Sequence, residues 1–156
     1  MKPALRLEIR PGQAADVDAI RRLVRNAYAV YVQRIGREPA PVGADYEALV
    51  NEGSVTVAVD GGSVVGVLVL RPQQDSLLLE NVAVAPQKKG RGIGRALLAF
   101  AERRGRELDL PKVTLYTNSR MTENLSLYPR LGYVEVGRRV EAGFDRVLFE
   151  KTLHTR

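Results

Sequence analysis

Residues 77–104 read LLLENVAV, AP, QKKGRGIG and RALLAFAERR. The glycines of this stretch give the first sign of chemistry. Gly90, Gly92 and Gly94 alternate with Arg91 and Ile93 directly before a helical pattern. A glycine-rich turn that runs into a helix places backbone N–H groups without intrahelical partners at the positive end of the helix dipole. Glycine lets the main chain come close to an anion. Lys88, Lys89, Arg91 and Arg95 add positive charge around it, which suits a diphosphate better than a lone carboxylate. The plainer reading is a tight turn with a solvated basic rim. Two phosphate templates fail on the residues. A P-loop needs Lys and then Ser or Thr after its last glycine, whereas Gly94 is followed by Arg95 and Ala96. A dinucleotide fingerprint needs G-x-G-x-x-G and an acidic residue at the end of a second strand, whereas the spacing here is G-x-G-x-G and Asp109 precedes the next strand.

Other chemistries are removed by composition. There is no cysteine, so disulfides and thiol catalysis are absent, and the one histidine, His154, makes a histidine metal site or a Ser-His triad implausible. Carboxylates, tyrosines, backbone or a cofactor remain. The net charge of +6 suggests an anionic partner, but the basic residues are scattered, with no dense tract or interleaved aromatic platform, and nucleic acid is disfavoured. No run reaches the 18 apolar residues of a membrane span. The opening MKPALRLEIRPG has no signal-peptide apolar region, so the expected location is cytoplasmic.

The elements that must position these residues can be read in order. At 156 residues one domain is expected, residues 1–156. Leu5, Leu7 and Ile9 alternate into a strand that stops at Pro11-Gly12, and Val17, Ile20, Val24, Ala27 and Tyr28 mark a helix running on past Tyr31 toward Gly36. A loop over 34–43 and a short helix over 45–51, closed by Gly53, follow. The alternating valines 55–59, the turn Asp60-Gly61-Gly62 and residues 64–70 form a hairpin, and a further turn leads into the strand 77–84. Only Glu80 and Asn81 carry polar side chains in that strand. Ile93, Ala96, Leu97, Phe100 and Ala101 make one stripe of a helix that ends near Leu108, and residues 112–117 form a strand expected to pair in parallel with 77–84. Thr122 is read as the cap of a short helix carrying Leu125, Leu127, Tyr128 and Leu131, with Pro129 expected in or near its first turns. Strands over 133–139 and 146–153 complete the sheet.

Two stretches together resemble the GNAT acetyltransferase superfamily. The first is the loop Lys89-Gly90-Arg91-Gly92-Ile93-Gly94, similar to the family's Gln/Arg-x-x-Gly-x-Gly/Ala acyl-coenzyme A loop, with Lys in place of Gln or Arg. A shifted register, Gln87 to Gly92, matches the letters better but puts the helix start later than the loop needs. The second is Leu127-Tyr128-Pro129-Arg130-Leu131-Gly132-Tyr133, which looks like the family's Leu-Tyr-x-x-x-Gly-Phe/Tyr signature at the expected distance downstream. The resemblance covers nearly the whole chain. It implies an α/β (mixed α+β) fold, with a central mixed sheet of six to seven strands flanked by helices and parallel strands splayed around the cofactor.

The same resemblance implies acetyl-coenzyme A as co-substrate, no metal, and direct attack by a primary amine on the thioester. Val82, Ala83 and Val84 would offer backbone groups to the pantetheine and an oxyanion donor, and Lys89, Gly90, Arg91, Gly92, Ile93, Gly94 and Arg95 would hold the pyrophosphate. Tyr128 stands where the family has its general acid. Glu80 is the one carboxylate of the central strand and shares side-chain parity with Val82 and Val84. If buried, it would be a stronger base than an exposed carboxylate, which makes it the candidate for the base; the other reading is a salt-bridged structural acid. One departure is Met121, seven residues before Tyr128, where many relatives have asparagine; Asn118 and Asn124 on either side are the candidates for contact with the pantetheine amides. The early helices would line the acceptor site, through Tyr28, Tyr31, Arg34, Arg37 and Tyr46. The acceptor is an amine of a small molecule or peptide, with self-association as a homodimer left open. A non-catalytic acyl-coenzyme A-binding module of the same fold and a basic nucleic-acid-binding domain are the competing readings. Retention of Glu80 and Tyr128 favours the enzyme.

Overall fold

The computed structural model describes residues 4–154. Its elements are β1 (Leu7–Pro11), α1 (Val17–Ile35), α2 (Tyr46–Asn51), β2 (Val55–Asp60), β3 (Ser63–Pro72), β4 (Leu77–Val84), α3 (Ile93–Glu107), β5 (Lys112–Asn118), α4 (Thr122–Arg130), β6 (Val134–Glu141) and β7 (Phe144–Thr152). The strands make one mixed sheet in the order β1-β2-β3-β4-β5-β7-β6. By its contacts the chain divides into two compact units, the residues up to Leu70 with Asn81–Ala99, and Arg71–Glu80 with the residues from Phe100 onward.

In the first unit β2 pairs antiparallel with β1 and with β3. The inward valines 55, 57, 59, 67 and 69 meet the stripe Val17, Ile20, Leu23, Val24 and Ala27 of α1, so period two on the sheet and period 3.6 on the helix bury one shared surface. Helix α1 ends at Gly36, whose φ of 86° lets its N–H reach the Val32 carbonyl. Asp45 caps α2 by accepting from Ala48 N at 3.1 Å. Gly66 on β3 admits α3 closely: a Cβ there would lie 2.9 Å from Leu97 Cδ1 and 3.1 Å from Ile93 Cγ2. This close approach seats the first turn of α3, and with it the end of the glycine loop.

A bidentate pair ties β1 to the start of α1. Arg10 Nη1 and Nη2 donate to the Asp16 carboxylate at 2.8 and 3.1 Å, and Gln13 N donates to it at 2.8 Å. The Arg10 hydrogen bonds first, then the Gln13 amide, hold the Asp16 carboxyl below its ordinary range. A carboxylate with a lowered folded-state pKa contributes stability that is present above its unfolded value and lost as pH falls through the folded one. Asp16→Asn is therefore expected to cost about 1–3 kcal/mol at pH 7, with a gap that closes below about pH 4. Thermal melts of both proteins at pH 7 and pH 3 check this, and a gap independent of pH would contradict it.

In the second unit β4 pairs in parallel with β5 over Leu77↔Val113, Leu78↔Thr114 and Leu79↔Leu115, although each strand runs on beyond that ladder. Strand β7 pairs antiparallel with β5 along its length and with β6. The β6–β7 turn is tight: Ala142 and Gly143 alone bridge it, both left-handed at φ 52° and 80°. Gly105 lies against the residue that follows β7, where a Cβ would meet Leu153 Cδ1 at 2.5 Å.

Two readings of α4 need correction. Pro129 is the penultimate residue of this nine-residue helix and not near its start. There it can make no hydrogen bond to the Leu125 carbonyl one turn back, and α4 ends one residue later. Thr122 is the first helical residue and not the cap; Met121 takes the cap position without a side-chain bond to the helix. None of the helices among the described residues is long and apolar enough to cross a membrane.

Candidate functional site

The glycine loop lies in the first unit. Strand β4 ends at Val84, residues 86–88 make a single 3-10 turn, and α3 begins at Ile93. Gly90 and Gly92 sit at φ 79° and 85°, and a Cβ at either would meet nothing within 4 Å. Backbone conformation, not crowding, therefore calls for glycine here. Gly94 lies in the helix, where a Cβ would touch only Val84 Cγ2 at 3.7 Å. The amides of Ile93, Gly94 and Arg95 open α3 and have no intrahelical acceptor. Open space over two left-handed glycines, next to a helix N-terminus, fits a pyrophosphate.

Of the four cations expected around the loop, Lys88 is already engaged: its Nζ pairs with Asp60 at the end of β2 at 3.4 Å. Asp60 is held below the ordinary carboxylate range by the Arg6 amide first, and by Lys88 and Arg91 in addition. Lys88 therefore fastens the loop to the hairpin. Lys89 and Arg95 are exposed. Along β4 the burial alternates, with Asn81 and Ala83 buried and Val82 and Val84 half-buried.

The expected acceptor residues are brought together in the same unit. The Tyr28 hydroxyl donates to Asn81 Oδ1 at 2.6 Å, Asn81 Nδ2 donates to the Tyr46 oxygen at 3.1 Å, and the Tyr46 hydroxyl donates to the Pro41 carbonyl at 2.6 Å. Tyr28 and Tyr31 rings are tilted with centroids 6.3 Å apart, and the Arg34 guanidinium lies 5.2 Å from the Tyr31 ring. Tyr46 is only 1% exposed, so the structure places it in the core under α2 and not on an accessible surface. Arg34 and Arg37 are exposed. Asn81 is the residue of this row that the resemblance does not single out. The signal was its parity: an amide at an inward strand position must find partners, because burying it unpaired is costly.

In the second unit Glu80 corrects an expectation. Its side chain is 46% exposed and ion-paired with Arg71 Nε, so it is not the desolvated carboxylate the apolar run suggested. The run is apolar on both faces, yet Glu80 lies just past the β4–β5 ladder, which ends at Leu79. Tyr128 is buried at 5% exposure. Its ring meets Tyr133 edge-on at 5.7 Å and Phe149 at 5.6 Å, and its carbonyl accepts from both Leu131 N and Tyr133 N at 3.0 Å. Behind it, the Tyr133 hydroxyl donates to Glu102 at 3.1 Å and Lys151 Nζ donates to Glu102 and to the Leu131 carbonyl, both at 2.9 Å. Burial first, and the Glu102 carboxylate next, push the Tyr133 phenol far above its ordinary value, so it stays protonated and a donor.

The asparagines beside Tyr128 have local partners. Asn118 Oδ1 accepts from Arg120 N at 2.9 Å, and Asn124 Nδ2 donates to Thr117 Oγ1 at 3.1 Å. Met121, at the position many relatives give to asparagine, is buried.

Solved structures share this architecture. The PaiA N-acetyltransferase of Thermoplasma acidophilum, crystallised with coenzyme A, is 16% identical with a TM-score of 0.77, over 94% of this chain and 98% of that one. An IAA acetyltransferase from Bacillus cereus is 23% identical with a TM-score of 0.71, over 94% and 99%. These likenesses define the fold class. The family model described as acetyltransferase (GNAT) domain matches residues 51–135, more than half of the sequence, and the chain belongs to the GNAT acetyltransferase family. N-acetyltransferase 8F1 of Rattus norvegicus is 29% identical over 107 residues, which span 65% of this chain and 48% of the relative. The chain thus spans less than half the length of this curated relative.

Proposed function

We propose that this chain, as one functional domain, transfers an acetyl group from acetyl-coenzyme A to a primary amine of a small molecule or peptide. The observation that carries the reading is the pair of left-handed glycines, Gly90 and Gly92, opening directly onto the first turn of α3. Residues 89–95 would hold the pyrophosphate through backbone amides, with Lys89, Arg91 and Arg95 supplying charge. The main chain of Val82, Ala83 and Val84 would pair with the pantetheine arm and offer an N–H to the carbonyl oxygen. Asn118 and Asn124 are the candidates for the pantetheine amides.

Bound acetyl-coenzyme A supplies an activated acyl carbon with a thiolate leaving group. The protein's own work is then two proton movements. Glu80, directly or through water, takes the proton that the amine nitrogen loses as it bonds to carbon, and Tyr128 gives its phenolic proton to the departing sulfur. The ion pair with Arg71 orients the Glu80 carboxylate. A cytoplasmic site of action goes with this proposal.

The test is a panel of amines incubated with acetyl-coenzyme A and read by thiol release; no acetylation of any amine alongside tight coenzyme A binding would favour the non-catalytic module. The exposure of Glu80 and its pairing with Arg71 is the observation on that side. Glu80→Gln separates the two roles. Turnover is expected to fall about 10- to 100-fold with coenzyme A affinity intact, and the acidic limb of the pH–rate profile should disappear. A mutant that retains the wild-type limb would remove Glu80 as the base.

A further inference from the structure

The glycine loop is held at both ends, and both holds are made to the β2–β3 hairpin. At the far end Ile93 and Leu97 of α3 sit against Gly66 of β3, so close that a Cβ there would lie 3.1 Å and 2.9 Å from them. At the near end the Ala85 amide donates to the Val65 carbonyl at 2.9 Å, and three residues later Lys88 Nζ reaches Asp60 Oδ2 at 3.4 Å. The other oxygen, Asp60 Oδ1, accepts from the Arg6 amide at 2.9 Å. Asp60 also borders the two-residue turn Gly61-Gly62, left-handed at φ 56° and 87°, so a tight backbone corner presents its carboxylate. One carboxylate thus joins the chain before β1, the hairpin and the start of the glycine loop.

By charge alone this placement opposes the loop's use. The Arg6 amide first, then Lys88 and Arg91, hold the Asp60 carboxyl below its ordinary range, so it is an anion at neutral pH beside a loop that would receive a diphosphate. Like charges repel, and a carboxylate there lowers affinity through its field. What it contributes in the other direction is order. Lys88, Lys89, Arg91 and Arg95 fall within eight residues and repel one another, while the amides between Lys88 and α3 must keep one arrangement before an anion arrives. We propose that Asp60 is a positioning residue for coenzyme A: through Lys88 it holds the near end of the glycine loop, so that the amides of residues 89–95 are preset for the pyrophosphate. The inference rests on the reading of this loop as the pyrophosphate site. Lys88 then acts on the ligand through the loop, whereas Lys89, Arg91 and Arg95 act by charge.

The experiment is calorimetric titration of coenzyme A into wild type, Asp60→Asn, Lys88→Met, Lys88→Arg and the double variant Asp60→Asn/Lys88→Met, with thermal melts of each free protein. Asparagine at this position keeps an oxygen for the Arg6 amide and removes only the charge, so the melts should stay close to wild type. Asp60→Asn is expected to weaken binding about twofold to fivefold, the range of a partly exposed ion pair expressed as the fraction of loop that is preset. The sign decides, because removing an anion would strengthen binding if the field were all that mattered. The double variant should bind as Lys88→Met does, and Lys88→Arg as wild type does, because the two residues act as one contact. The ratio between wild type and Asp60→Asn should also shrink toward one as KCl rises from about 0.1 M to about 1 M and the screening length falls from roughly 10 Å to 3 Å. Equal or tighter binding by Asp60→Asn, or a double variant whose affinity returns toward wild type, would overturn the proposal. Should the double variant fail to fold, the sign in Asp60→Asn decides. A wild type that binds no coenzyme A would overturn the reading of the loop and this proposal with it, whereas wild-type binding left undiminished in Asp60→Asn would overturn this proposal alone.

Discussion

Tyr128→Phe should lower acetyl transfer by about 10²–10⁴-fold while leaving coenzyme A affinity and thermal stability close to wild type. The ring is clamped between Tyr133 and Phe149, so the substitution keeps the edge-on and tilted contacts and deletes only the hydroxyl. That separation matters because Tyr128 is buried, and a core tyrosine would look the same by exposure alone. The clamp is itself fastened: Glu102 takes the Tyr133 hydroxyl and Lys151, and Lys151 also holds the Leu131 carbonyl at the end of α4. Rotation of the Tyr128 ring is therefore restricted from two sides, which suits a proton donor whose target appears only once the thioester breaks. The measurement is single-turnover acetylation with a good acceptor, alongside melts and coenzyme A titration. Wild-type rates in the Phe variant would leave Tyr128 a packing residue and move the proton source to water.

Gly92→Val is expected to weaken coenzyme A binding by roughly 10²-fold, the size of losing charge-assisted hydrogen bonds to an anion. Two effects act together. At φ 85° a β-branched residue is strained by about 1–3 kcal/mol, and its methyls would occupy the open space over the loop. Because a Cβ at this position meets nothing within 4 Å, the free protein should still fold. Gly92→Asn separates the two causes, since asparagine tolerates left-handed backbone but adds bulk over the loop. Calorimetry on both variants decides: affinity lost in Val and regained in Asn points to backbone geometry, and affinity lost in both points to occupied space. Undiminished affinity in a folded Val variant would place the pyrophosphate elsewhere.

The sequence by itself determined the order of elements, because each rests on a local period. Alternating valines at 55–59 could bury one face only as a strand, and the stripe through Ile93, Leu97 and Phe100 only as a helix. It also determined the loop chemistry: glycine at 90 and 92 is a backbone requirement written one residue at a time, and both take left-handed φ. The tertiary structure decided what each polar side chain faces. Glu80 and Asn81 are neighbours in one apolar run and look alike in the sequence, yet one reaches Arg71 and solvent while the other is sealed between two tyrosines. Parity separates their faces, but only the packed helices determine which face is closed. Tyr28 and Tyr46 differ in the same way, one half-buried and one in the core, although nothing in their local sequence tells them apart. Pro129 shows the limit from the other side: its effect on a helix is a local rule, but whether it falls in a first turn or a last one depends on where α4 ends, at a Tyr128 carbonyl that accepts from both Leu131 and Tyr133. Periodicity is a property of neighbours along the chain, whereas burial and hydrogen-bond direction are properties of neighbours in space.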